Sequence, residues 1–144
     1  MLVLIARERP QLPPPPRGMQ TIARILIAED EPTVLMLAEG ILAEMGHSTL
    51  AAANAVQALA VIQDEANAID VLFTDIKMGD ADLDGWKLAQ AAIQGRPGLR
   101  VLYTTGQPKT DGMEALFVQD AMFLPKPYNP TQLKDAIESL LTDQ

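Results

Sequence analysis

The chain has 144 residues, enough for about one domain with an adequate core, and its net charge of −8 argues against direct nucleic-acid binding. It contains no cysteine, which excludes disulfide and thiol chemistry. Arg7, Arg9 and Arg17 make the first twenty residues basic against a single Glu8, so the acidity belongs to the remainder.

Met1 to Ala6 is apolar but far too short to span a bilayer, and Arg7 and Arg9 follow it, whereas a signal peptide carries its charges in front. Pro10 and Pro13 to Pro16 favour extended polyproline that neither helix nor sheet absorbs. Residues 1–22 are therefore expected to be a disordered Pro-rich tail ahead of one domain, residues 23–144. A plain linker is the ordinary reading of such a tract and a Pro-rich docking motif the functional one. Met19 offers an alternative initiator.

Arg24 to Glu29 reads as a first strand, an apolar run ended by Glu29 and Asp30. Pro32 opens a helix at a position where its missing N–H costs nothing, and Leu35, Leu37, Ala38, Ile41, Leu42 and Met45 form its apolar stripe up to Gly46. His47 to Ala52 is a second strand, with His47, the only histidine, capping its start. Asn54 is a candidate N-cap for a helix through Ala58, Leu59, Val61 and Ile62. The run Ile69 to Thr74 is a third strand ended by Asp75. A Gly/Asp-rich loop from Gly79 to Asp82 precedes a helix from Gly85 to about Gln94. Leu99 to Tyr103 is a fourth strand, Asp111 to Gln119 a weak helix, Ala121 to Leu124 a fifth strand, and a last helix starts at Asn129-Pro130 with Leu133, Ile137, Leu140 and Leu141 facing the core. Five β-α repeats make a doubly wound α/β domain with a parallel sheet. Pro125 cannot donate to a ladder, which places strand five at a sheet edge.

In such a sheet, ligands sit beyond the carboxyl ends of the strands. Glu29, Asp30 and Asp75 would repel one another there unless a cation joins them, and hard oxygen ligands suit Mg²⁺. Tyr103-Thr104-Thr105-Gly106 adds hydroxyls after the next strand, and Leu124-Pro125-Lys126-Pro127 adds an ammonium after the last. Acid pair, lone Asp, Asp84-Gly85, hydroxyl and Lys-Pro, in this order and each at a strand end or helix start, resemble the receiver domain of two-component response regulators from Ala23 to the C-terminus.

The resemblance implies a flavodoxin-like (βα)5 sandwich with strand order 2-1-3-4-5. It makes Asp75 the phosphoacceptor. It makes Asp30 a direct ligand of Mg²⁺ and Glu29 one acting through water, with Asp75 and the backbone carbonyl of Lys77 completing the set. Thr104 takes the hydroxyl role from its spacing to Lys126, with Thr105 as the competitor. Lys126 neutralises phosphoryl charge before a cis bond to Pro127. Phe123 falls at the aromatic switch position and would rotate into space vacated by Thr104. Partners implied are a sensor histidine kinase or phosphotransfer protein and a downstream protein target. The target, or a second copy in a homodimer, would use the face of the fourth helix, fifth strand and fifth helix. The expected protein is a cytoplasmic, single-domain switch because Gln144 follows the last helix directly. It is not an enzyme beyond its own phosphorylation and slow autodephosphorylation.

Departures from the family pattern lie after the phosphoacceptor, where Met78 to Gly85 lacks a Pro and is longer. Its extra acids, Asp80 and Asp82, are read as solvated. Lys77 puts a cation where side chains often tune phosphoryl lifetime, and Gly106-Gln107-Pro108 is unusual. Two rival readings are a haloacid-dehalogenase-like phosphohydrolase and a phosphorylation-independent pseudo-receiver. The first needs an acid two residues after its nucleophile, where this chain has Lys77.

Overall fold

In the computed structural model, residues 22–78, 84–108 and 110–142 are described; the expectations for the N-terminal tail and for Asp80 and Asp82 lie outside them. The chain alternates β1 (Arg24–Ala28), α1 (Pro32–Glu44), β2 (Ser48–Ala52), α2 (Ala55–Gln63), β3 (Val71–Asp75), α3 (Gly85–Gly95), β4 (Arg100–Thr105), α4 (Asp111–Glu114), β5 (Met122–Pro125) and α5 (Pro130–Thr142). All strands pair in parallel in the order β2-β1-β3-β4-β5, the expected doubly wound arrangement, with Pro125 on the edge strand.

Strand residues alternate between two cores because side chains alternate across a pleated sheet. Ile25 and Ile27, Val71 and Phe73, Leu102 and Leu124 pack with Ala38, Ile41 and Leu42 of α1 and Leu133, Ile137 and Leu140 of α5. Leu26 and Ala28, Leu72, Val101 and Tyr103 pack on the other side with α2, α3 and Met113 of α4. Asn54 caps α2 as expected, its side-chain oxygen accepting from the Gln57 N–H at 2.8 Å.

Several boundaries differ from the sequence reading, with local causes. The stripe of α1 is narrower: Leu37 is 49% exposed beside Met36 at 70%, so the α1 contact rests on Ala38, Ile41 and Leu42. β4 runs on to Thr105 because Thr104 pairs with Asp75 and Thr105 with Pro125. The fourth helix stops at Glu114 instead of Gln119. Leu116 and Phe117 N–H groups bond three residues back, to Met113 and Glu114, and the Val118 N–H donates to the Tyr103 hydroxyl at 3.2 Å. His47 ties two elements together: its Nδ1 accepts from the Ala23 N–H at 2.9 Å, and burial holds its pKa below the usual value.

Candidate functional site

Asp75 ends β3 in the same side-chain phase as Val71 and Phe73, and Thr104 lies directly across from it on β4 in the phase of Leu102. Glu29 follows β1 two residues after Ile27, and Lys126 follows β5 two residues after Leu124, so the alternation that builds the α1/α5 core also delivers these groups to one end of the sheet. Asp75 and Glu29 are 4% and 3% exposed, and Asp30 is exposed. Among the described residues these three form an acidic group whose ligand oxygens lie within 4.8 Å of one another.

The Lys126 ammonium sits between two of them, 2.8 Å from Asp75 Oδ2 and 2.8 Å from Glu29 Oε1. Burial works against the charge on Lys126, but hydrogen bonds and attraction from Asp75 and Glu29 outweigh it and push its pKa above the usual lysine range. Burial likewise raises the Glu29 carboxyl, which Lys126 partly counters. The Lys77 N–H donates to Asp75 Oδ1 at 3.1 Å, and the Glu31 N–H to Glu29 Oε2 at 3.2 Å. Tyr128 packs at a tilt of 56° against Phe73 with ring centroids 5.9 Å apart, and burial together with Glu29 pushes its hydroxyl up to about 12.

The two threonines separate on geometry. Thr104 is 2% exposed and its buried Oγ1 has no hydrogen-bond partner among the described residues, whereas Thr105 Oγ1 accepts from the Gln107 N–H at 3.3 Å. Phe123 is placed on the opposite side of the sheet from Asp75, half-buried against the α2/α3 core. The Lys126-Pro127 bond is cis. Gly85 packs its backbone on the Asp75 main chain: a Cβ there would lie 2.2 Å from the Asp75 carbonyl oxygen. Sequence reasoning treated Asp84-Gly85 as a signature without this cause, and it did not single out Tyr103.

The profile described as "Response regulator receiver domain" matches residues 25–138. The chain belongs to the response regulator receiver family. Receiver proteins of this family are phosphoacceptor switches and not catalytic enzymes in the ordinary sense, and they hold Mg²⁺ in an acidic pocket such as the one formed here. The response regulator receiver protein CpdR of Brucella abortus is 30% identical over 124 residues, covering 82% of this chain and 96% of that protein. The sensor kinase CckA of the same organism is 27% identical over 124 residues, 85% of this chain. AlgB of Pseudomonas aeruginosa, an alginate biosynthesis transcriptional regulator, is 34% identical over 113 residues, 77% of this chain. The receiver spans only 13% of CckA and 24% of AlgB. Among solved structures, a receiver protein from Sinorhizobium medicae matches with a TM-score of 0.77 and 29% identity over 83% of this chain and 94% of that one. No described helix is long and apolar enough to cross a membrane.

Proposed function

We propose that this receiver accepts a phosphoryl group on Asp75 from a sensor histidine kinase or a phosphotransfer protein and passes the change to a protein target in the cytoplasm. The observation that carries this reading is the buried Asp75 carboxylate, held between the Lys126 ammonium and the Lys77 N–H with Glu29 and Asp30 beside it. A carboxylate oxygen of Asp75 attacks phosphorus in line, the P–N bond to the donor imidazole breaks, and the imidazole leaves as the neutral base after taking up a proton. Lys126 offsets charge on the phosphoryl oxygens, and the unpartnered Thr104 hydroxyl donates to one of them. The carboxylates of Asp30, Glu29 and Asp75 with the Lys77 carbonyl suit Mg²⁺, which supplies charge neutralisation at the phosphoryl group. Slow autodephosphorylation returns the site to rest, and the target or a second copy reads the α4-β5-α5 face.

Treatment with acetyl phosphate and Mg²⁺ is expected to add one phosphoryl group by intact-mass spectrometry, absent in Asp75→Asn. An unchanged adduct in that variant sinks the reading.

Metal affinity gives a second test. Trp86 follows Asp84-Gly85 near the site, and its fluorescence is expected to report Mg²⁺ binding. Asp30→Ala should weaken Mg²⁺ by roughly tenfold or more, about 1.4 kcal/mol, while Asp82→Ala leaves it nearly unchanged. Equal losses would show that the loop after Asp75 supplies the ligands.

A further inference from the structure

Phe123 does not face an open space. Tyr103, fully buried on β4, stacks on Phe117 with centroids 4.4 Å apart and planes at 27°, and Phe117 stacks on Phe123 at 5.8 Å and 22°. The Tyr103 hydroxyl also accepts the Val118 N–H, the donor that a longer α4 would have turned inward to Glu114. Backbone N–H groups of Ala115, Leu116, Phe117 and Ala121 bond locally, to the carbonyls of Asp111, Met113, Glu114 and Val118. Beside them lies an open cleft of about 690 Å³, bordered by Val101, Val118, Ala121 and Met122. The segment packs on the core through Phe117, Val118 and Ala121, and within that contact Tyr103 supplies both a stacked ring and a hydrogen-bonded hydroxyl, beside an open cleft.

Tyr103 is also the immediate neighbour of Thr104, and the two side chains leave opposite faces of the strand. The buried Thr104 hydroxyl lacks a partner, and a phosphoryl oxygen on the facing Asp75 would provide one. Drawing Thr104 toward Asp75 shifts the shared backbone, and a close-packed ring passes a small shift on to whatever it touches.

We infer that Tyr103 is the positioning residue that couples Asp75 to residues 115–121, with its ring carrying Phe117 and its hydroxyl carrying Val118. Phe123 follows as the outer ring of the stack, not as an independent rotor. The inference rests on the phosphoacceptor reading of Asp75 and goes beyond it in naming the path and the segment that moves.

The test is amide hydrogen exchange at Val118 and its neighbours, with and without beryllofluoride and Mg²⁺, in the full chain and in Tyr103→Phe. Occupancy of Asp75 is followed independently by ¹⁹F NMR. Wild type is expected to change its exchange in 115–121 on adding beryllofluoride. Tyr103→Phe keeps the ring and binds beryllofluoride normally. Its resting Val118 exchange should rise about three- to tenfold, the worth of one ordinary hydrogen bond, and the beryllofluoride-dependent change at Val118 should vanish. A merely structural hydroxyl would raise exchange equally in both states and preserve the response, and that result overturns the inference. A wild-type segment that ignores bound beryllofluoride overturns it too. If no ¹⁹F signal from bound beryllofluoride appears, the phosphoacceptor reading has failed, and the coupling falls with it.

Discussion

Gly85→Ala is expected to destabilise the fold by about 3 kcal/mol, lowering the melting temperature by roughly 10 °C. An added Cβ would sit 2.2 Å from the Asp75 carbonyl oxygen and 2.8 Å from Ile76 Cα, and both obstacles are backbone, which cannot rotate away. Helix propensity alone favours alanine by about 1 kcal/mol, so the sign of the result decides between local preference and tertiary clash. The clash wins because α3 is pinned at its first turn: the Gly85 N–H bonds the Ile76 carbonyl at 2.9 Å, and Asp84 caps the Lys87 N–H at 3.0 Å. Relief requires moving the β3 end that carries Asp75, so phosphorylation by acetyl phosphate should fall together with stability. Urea unfolding that shows less than about 1 kcal/mol of loss would mean that α3 can slide freely.

Lys126→Met is expected to cost about 2–3 kcal/mol near neutral pH without Mg²⁺. It leaves Glu29 and Asp75 buried side by side without their cation, and breaking a buried pair by removing one partner costs about 3–5 kcal/mol. The lower figure reflects the 14% exposure of the lysine side chain. The pH dependence has a definite sign. Glu29 already holds its proton more tightly folded than unfolded, from burial first and from Asp75 next, against Lys126. Such a raised carboxyl contributes stability that is fully present below its unfolded value of 4.5 and is lost as pH rises through the folded value. Removing Lys126 raises it further, so the variant should lose more stability at pH 7.5 than at pH 5, and saturating Mg²⁺ should recover much of the difference. Equal losses at both pH values would assign Lys126 a packing role in place of an electrostatic one.

The elements that carry chemistry were the most legible because each breaks a pattern. An acid that ends an apolar run, as Asp75 and Glu29 do, has little local reason to be there, and Pro125 forbids a central strand outright. Phase between strands was less legible. Thr104 and Thr105 are chemically identical neighbours, and only the pairing of β4 with β3 turns one toward Asp75. The length of α4 was hidden for the same reason: residues 111–119 read as helical, but Phe117 and Val118 are held by Tyr103, a contact fifteen residues back for Val118. Tyr103 itself gave no signal, since an aromatic in a strand run is ordinary core. Leu37 matched the spacing of the α1 stripe yet stands at its margin, half exposed.

The alternation of residues 103, 104 and 105 across β4 has a consequence for how this lineage can diversify. Groups that handle the phosphoryl transfer sit on one side of a wall a single strand thick, and the rings that border the α4-β5 segment sit on the other. On the phosphoacceptor reading, substitutions at the half-buried Phe117 and Phe123 would therefore alter the α4-β5 surface while leaving the acidic group around Asp75 untouched. Substitutions near Asp30 and Lys126 can retune the lifetime of the signal while its recipient stays the same. The two sets of residues can then vary separately, though they are adjacent in sequence and lie back to back across one strand, joined at Tyr103 and Thr104.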